Sequence, residues 1–542
     1  MNKHAIARAA VSAGLAVAMT LGSVAPATMA WAATDDGAVT IQKRADGDNT
    51  ALAGYQIFKA DVVDGASGKA SDKVASNLEW ASDTAQKAVE QATGKKFGTA
   101  QDAADELSKL ATSGDGYVLD KDDTLNKVAK YMRANQTDPE TVTPGEQKTG
   151  LITGYWLFLT TKDSTNNTDG AKKVDQSGTS PIFVLVGGNA LIISQKATIP
   201  TVDKWVRNDK SRSDWSKAAD SQVDQQLEYK LVGTVAQNVA TYDTYYYKFT
   251  DNLSAGLTAD LNTVEVKVKN GDTETTVDAT KYTKQLVENT DKTSTLTVEF
   301  QDLKSAGVDI DSNSVVSVYY KARLDPAKAY KLAGEANPNE VTLTYSNNPG
   351  TESHGDTMPV RAEDYTYRLV LTKVDSNDAS KKLQHAKFTI QATEPDEGAD
   401  SPAKYVQANG SLGIDAHEFE TDENGEISVS GLDAGTYTVV ETEAPSGYNK
   451  VADFTFTITP DWNSNASGVA TELEAVKVTD NSDDVDSSVE NGQVGLTVND
   501  KAGTGLPLTG QAGIGVTLAA GGAVLALGVY RVVRSRREQD AE

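Results

Sequence analysis

The run Tyr437-Thr438-Val439-Val440-Glu441-Thr442-Glu443-Ala444-Pro445-Ser446-Gly447-Tyr448 decides how this chain is read. Its first residues alternate, so Tyr437, Val439 and Glu441 share one face of a strand that runs into an Ala-Pro turn. An acid on an otherwise apolar face is costly unless its charge is paired or lost. Glu443 has the same parity, but it lies closer to the turn and is the weaker candidate. Upstream, Leu369, Leu371 and Lys373 share a face; downstream, Leu496 and Val498 precede Asn499 on a closing strand. Residues 362–502 therefore set a lysine, an acid and an asparagine on three strands.

The pattern occurs once before, in residues 196–361. Pro200 opens a strand in which Val202, Lys204 and Val206 share a face. Tyr245, Tyr247 and Phe249 lead to Asp251, and Asn339 is followed at every second position by Val341, Leu343 and Tyr345. The lysine-to-asparagine separation is nearly the same in the two regions.

The rest of the chain fits a mainly β protein built from tandem β-sandwiches. Short alternating stretches separated by Asn, Asp and Gly turns recur along it. In residues 34–195, strands are expected at Val39–Lys43, Gly54–Phe58, Tyr155–Thr160, Pro181–Val186 and Leu191–Ile193. Between Ser71 and Asn135 the texture becomes rich in Ala, Lys and Gln, as in Thr84–Thr93 and Thr99–Ala111, and reads as a helical insertion. Lys43 stands where a lysine of the later pattern would. Leu157, however, occupies the acid's place in Tyr155-Trp156-Leu157-Phe158-Leu159, and no asparagine closes Pro181–Val186. The first domain should therefore lack the chemistry of the other two, with the Lys43 amine in water.

That chemistry follows from burial. Desolvation makes a lysine amine neutral and nucleophilic and keeps a carboxyl protonated, so the acid can donate to an asparagine side-chain amide. Attack on the amide carbon expels ammonia and leaves an isopeptide bond. The reaction occurs once per molecule, without cofactor or turnover, so the chain is not an enzyme in the usual sense. Lys204, Asp251 and Asn339 form one candidate set, and Lys373, Glu441 and Asn499 the other, with Asp251 and Glu441 as the promoting acids.

At this point a resemblance becomes specific. Tyr437 to Tyr448 resembles the E-box of Gram-positive pilins, with Val439 in place of the usual leucine. Pro200 to Lys204 and Asn339 to Asn348 are similar to the ends of the isopeptide-forming second domain of the same proteins. Leu506-Pro507-Leu508-Thr509-Gly510 resembles the LPXTG sorting signal. An apolar run from Ile514 to Tyr530 follows, then Arg531, Arg534, Arg536 and Arg537, which is an anchor with its basic end in the cytoplasm. The resemblance implies Ig-like, Cna-type sandwiches and the shaft subunit of a sortase-assembled fimbria. It further implies that a class C pilin sortase cleaves after Thr509 and joins it to a lysine of the next identical subunit, head to tail. A housekeeping sortase, peptidoglycan, minor tip and basal pilins and a possible host ligand would be the other partners. The matching linkage lysine is Lys196, in Ile192-Ile193-Ser194-Gln195-Lys196-Ala197, where Ser194-Gln195 replaces the family's Tyr-Pro. Lys204 is its rival, although its inward alternation suits an internal bond.

The amino terminus agrees with export. Residues 1–33 carry Lys3 and Arg8, an apolar stretch from Ala9 to Ala25 and small residues at Ala30, Ala32 and Ala33, as in a secretory signal peptide. Residues 503–542 form the sorting region. The chain has no cysteine, which excludes disulfides, thiol catalysis and thiolate metal sites. Its 542 residues carry a formal net charge of −26, and such a surface repels nucleic acid and anionic membranes. His354, His385 and His417 lie far apart without metal spacing, and no Gly-x-Ser-x-Gly motif supports a hydrolase. The acidic stretches Asp396–Asp400 and Asp480–Asp486 read as solvated charge, so no metal is expected. A wall-anchored monomeric adhesin and a minor basal pilin remain the alternatives to the shaft.

Overall fold

A computed structural model describes residues 36–43, 48, 50–65, 73–110, 119–162, 178–195, 199–207, 214–328, 330–332, 335–392, 404–490 and 492–503. Strands dominate, arranged as three successive pairs of sheets.

In the first domain, Ala51–Val63 and Gly154–Lys162 form the centre of one sheet, flanked by Val74–Trp80, Glu140–Val142 and Ile182–Val186. One face of this sheet meets a small sheet of Gln147–Leu151, Gly37–Ile41 and Leu191–Ile193, burying Val39, Ile41, Trp156, Phe158 and Val184 between them. The opposite face is covered by helices Asp83–Thr93, Ala100–Ser108 and Thr124–Asn135. Their inward stripes are rich in alanine (Ala85, Ala88, Ala103, Ala104, Ala129), so the helix backbones come close to Tyr55, Ile57, Tyr155 and Leu157. Ser82, Thr99 and Asp123 cap the helix starts through their side-chain oxygens. Gly94 ends the first helix at φ 69°, a left-handed conformation that costs glycine nothing.

The middle domain is a true sandwich. Its first sheet runs Trp215–Ser216, Val202–Arg207, Leu227–Thr234, Val315–Leu324, Leu257–Asn270 and Thr273–Thr276. The second runs Ala218–Asp220, Val360–Tyr365, Asn337–Ser346, Tyr247–Leu253, Ser294–Phe300 and Thr283–Glu288. Strict alternation produces this architecture: in Leu227–Thr234 every second side chain is buried, and Tyr229, Leu231, Tyr247, Phe249, Val298, Val318, Leu343 and Tyr345 fill the space between the sheets.

In the third domain the first and last strands, Tyr367–Asp375 and Gln493–Asp500, lie side by side in parallel, with Leu371 opposite Leu496 and Lys373 opposite Val498. The facing sheet contains Lys387–Ala392, Gly435–Glu443, Phe454–Ser464 and Ala470–Asp480. Phe388, Ile390, Tyr437, Val439 and Phe456 pack from it against Leu369, Leu371 and Leu496.

The strand Val360–Tyr365 belongs to the middle domain's second sheet, so the chain changes domain at the single residue Thr366. Thr366 is buried, and its hydroxyl donates to the Leu432 carbonyl at 2.9 Å. Gln222, from the middle domain, accepts from the Asp433 N–H and the Tyr437 hydroxyl. The Val223 and Lys217 N–H groups donate to the Gly431 and Ala470 carbonyls.

Candidate functional site

The middle domain brings its three residues together. Lys204 lies opposite Leu231 in the first sheet, while Asp251 and Asn339 come from neighbouring strands of the second. There Asp251 faces Val341 and Asn339 faces Leu253, so the two polar side chains are diagonal neighbours on the face turned towards the lysine. All three are fully buried. The Lys204 amine donates to Asp251 Oδ1 at 2.5 Å.

A fourth residue, Tyr320, organises the set. Its hydroxyl donates to Asp251 Oδ2 at 2.5 Å and accepts from Asn339 Nδ2 at 2.6 Å and from Lys204 Nζ at 3.2 Å. Tyr320 stacks on Tyr229 with ring centroids 5.4 Å apart, and the lysine nitrogen lies 5.3 Å and 5.6 Å from those two centroids. The aromatic faces offset part of the lost hydration of the amine. Asn339 Oδ1 has no hydrogen-bond partner among the described residues, which leaves the amide carbonyl open to a proton donor.

Burial pulls the Lys204 amine down to about 8, a shift that the nearby Asp251 charge only partly opposes. Burial likewise pushes the Tyr320 hydroxyl well above its ordinary range, so it remains a neutral donor to the carboxyl. An amine close to its neutral form, a carboxyl in contact with it and an amide on the same phenol are the components of transamidation.

The third domain requires a correction. Lys373 and Glu441 are both buried, with Lys373 Nζ 3.1 Å from Glu441 Oε1. Asn499 is not with them. On Gln493–Asp500 the inward positions are Val494, Leu496, Val498 and Asp500. Asn499 therefore points the other way and donates from Nδ2 to Asp486 Oδ2 at 2.9 Å, in an exposed contact. The residue that reaches the lysine is Asp500, whose Oδ2 lies 3.2 Å from Lys373 Nζ. Burial raises both the Glu441 and the Asp500 carboxyls, and the Lys373 charge only partly opposes this. Glu441 Oε2 accepts the Val451 N–H at 2.7 Å. The turn beyond Glu441 secures the end of the site: the Tyr448 hydroxyl donates to Asp375 Oδ2 at 2.7 Å, and Tyr448 bridges to Ala502. Gly447 sits there at φ 89°, which a side chain would strain.

The first domain differs from both. Lys43 lies beyond the end of its strand and is exposed. A different lysine is buried there, Lys73, which the sequence reading missed because it follows a polar stretch with no alternation. Its amine donates to the carbonyls of Gly187 at 2.6 Å and Asn189 at 3.1 Å and pairs with Asp64. Hydrogen bonding to Lys73 holds the Asp64 carboxyl below its usual range. This is a satisfied ion pair.

Among the described residues no group of three metal-ligating side chains occurs. His385 contacts Glu420, His354 stacks on Tyr246 and His417 packs edge-on against Phe419. Asp480–Asp486 is engaged with neighbouring protein groups: Asp484 pairs with Lys501 and Asp480 accepts the Ser482 N–H. Among the described residues no helix is long and apolar enough to cross a membrane. The signal peptide, Lys196, Asp396–Asp400, Leu506-Pro507-Leu508-Thr509-Gly510 and the apolar run with its arginines lie outside the described residues.

Residues 368–472 match the family model described as the SpaA prealbumin-like fold domain. Over 263 residues the chain is 27% identical to the trypsin-resistant surface T6 protein of Streptococcus pyogenes serotype M6. That match covers 43% of this chain and 43% of the relative's length. Among solved structures, the T6 backbone pilin of serotype M6 Streptococcus pyogenes aligns with a TM-score of 0.50 and 16% identity, covering 88% of this chain and 100% of that one. The full-length major pilin SpaD from Corynebacterium diphtheriae gives 0.45 and 14%, covering 86% and 98%. The T6 backbone pilin is described as a modular three-domain structure, and three sheet pairs in series are the architecture found here.

Proposed function

We infer that this chain is the shaft subunit of a covalent surface pilus. The observation that carries the inference is the buried cluster of Lys204, Asp251, Tyr320 and Asn339, set between the sheets of the middle module in a three-module chain of backbone-pilin fold. In this reading neutral Lys204 attacks the Asn339 side-chain carbon while the Asp251 carboxyl protonates the amide oxygen. The new C–N bond forms as the old one breaks, and ammonia leaves with the amine's proton. The cross-link ties the first sheet to the second close to the ends of the domain. Tension then passes around the stretch between Lys204 and Asn339 rather than through its noncovalent packing. Cross-linking also restricts the unfolded chain, as a disulfide of similar span does by about 5 kcal/mol, yet reducing agents leave it intact.

Polymerisation belongs to the two segments outside the described residues. A class C sortase cleaves after Thr509 and passes its carbonyl to Lys196 of the next subunit, and a housekeeping sortase fixes the finished fibre to peptidoglycan. Lys196 follows directly on Ser194 and Gln195, which are tied to Gln42 at the end of the first strand. Cell-wall extracts separated in sodium dodecyl sulfate test this. A ladder of multimers that collapses to monomer in Lys196→Ala supports the shaft, whereas monomer throughout overturns it and favours a wall-anchored adhesin.

A further inference from the structure

We propose that the outer face of the middle domain's first sheet is a binding platform for an acidic polysaccharide, with Trp215 and Tyr319 stacking on a sugar ring and Lys230 pairing with its carboxylate. The proposal goes beyond the shaft reading, which needs no ligand, and does not depend on it.

The platform follows from strand parity. In Val202–Arg207 the even positions face the core, so Trp205 and Arg207 face outward. Register then sets Arg207 beside Trp215, and places Trp205, Lys230 and Tyr319 in one row across three strands. The centroid of the Trp215 ring lies 6.1 Å from that of Tyr319, with the ring planes inclined at 56°. Arg207 Cζ stands 4.4 Å from the Trp215 centroid and is held there by Glu228, whose Oε2 accepts from Nη1 at 2.7 Å. Lys230 Nζ is close to both rings, 5.8 Å from the Trp215 centroid and 5.3 Å from that of Tyr319. Trp215, Lys230 and Tyr319 each keep part of their surface in water, and none of them belongs to the core between the sheets.

Charge identifies the occupant. The chain as a whole carries 77 acidic against 51 basic side chains. On this face the acids are already engaged: Glu228 with Arg207, Asp203 with Lys217 and Glu265 with Lys267. Lys230 pairs with no carboxylate among the described residues, so an ammonium oriented by two aromatic rings is left to a ligand. The C–H face of a pyranose is drawn to the electron-rich face of an indole or phenol, and a carboxylate on the same ring makes a charge-assisted bond to the ammonium. A uronic acid offers both groups on one ring. Repulsion from the remaining acidic surface is screened beyond about 8 Å at physiological salt, so contact is decided locally. The platform is also firmly placed. Ser216 Oγ and the Lys217 N–H both donate to the Ala470 carbonyl, which fixes the strand bearing Trp215 against the third domain.

Calorimetric titration of the full ectodomain with a hyaluronan tetrasaccharide tests the proposal, with chitotetraose, which has N-acetylglucosamine but no carboxylate, as the comparison. The expected result is saturable binding of the acidic tetrasaccharide and binding of the neutral one weaker by about tenfold or more, the worth of one charge-assisted bond. Trp215→Ala and Lys230→Gln should each weaken binding of the acidic sugar by about tenfold, while Lys230→Arg should retain most of it. All these side chains lie outside the core, and the thermal midpoint of each variant separates a lost contact from a lost fold. No saturable binding by the wild type, equal binding of the neutral sugar, or undiminished binding by folded Lys230→Gln overturns the proposal. The laddering test with Lys196→Ala reads polymerisation alone, so the shaft and the platform can fail separately.

Discussion

The middle and third domains solve one problem with different parts. Each buries a lysine on the inward face of its opening strand and brings a carboxyl to it from the facing sheet. In the middle domain the Asn339 amide lies across the sandwich from Lys204, and the Tyr320 hydroxyl holds amine, acid and amide in one hydrogen-bonded set. In the third domain the strand that brings Asp500 is the lysine strand's own parallel neighbour, and an acid stands where the other site has an amide. The lysine and its buried acid are the constant elements. The third partner and its means of positioning vary.

The largest expected effect comes from removing the amine in the better-connected site. Lys204→Met loses the bond and leaves Asp251 buried without its partner, a loss of about 3–5 kcal/mol for the broken pair alone. Denaturant unfolding and a retained ammonia in the intact mass would record it. If stability is unchanged, the middle site is not a structural element at all.

Tyr320→Phe sharpens the comparison, because it keeps the stack on Tyr229 and deletes only the hydroxyl. Linkage in the middle domain should slow markedly while that of the third proceeds, with a stability cost of about 1–3 kcal/mol for the unsatisfied carboxyl and amide. Equal linkage rates in both domains would show that the hydroxyl is a bystander.

The pH response should be milder. The reactive form of the middle site needs a neutral Lys204 and a protonated acid, so the pair must keep one shared proton. That proton is lost as pH rises through about 8. Linkage in freshly synthesised chain folded at each pH should be flat below this value and fall by about tenfold per unit well above it. A rate that keeps climbing beyond it would mean that the acid does not donate. Smallest of all, Asn499→Ala should change stability by less than about 0.5 kcal/mol, since it removes one exposed contact.

Much of this was legible in the sequence. Lys204, Asp251, Asn339, Lys373 and Glu441 are all inward on apolar faces, and alternation alone finds them. Alternation also corrects the assignment of Asn499: counting by twos from Leu496 and Val498 reaches Asp500 and passes over the asparagine. Tyr320 was half legible. Val316, Val318, Tyr320 and Ala322 are inward on one strand, but which strand of the sheet brings a side chain to Lys204 depends on sheet order, which local pattern does not encode. Between Ser71 and Asn135 the sequence reads as helical; Thr124–Asn135 adds a third helix to the two stretches singled out there, while Val74–Trp80 is instead a strand at the sheet's edge. The fold class is mainly β in tandem domains, as the turn spacing implies, and residues 368–472 match a prealbumin-like module.

The one-residue passage at Thr366 bears on the shape of a fibre. Domains joined by a long tether swivel freely, but here the tether is a single buried threonine, and Gln222, Val223 and Lys217 clasp the neighbouring module from the other side. Bending within the carboxyl-terminal two-thirds of a subunit would have to break those contacts first. In a fibre of the kind proposed, articulation is thereby displaced away from this joint, so the filament should curve in discrete steps rather than as a uniformly elastic thread.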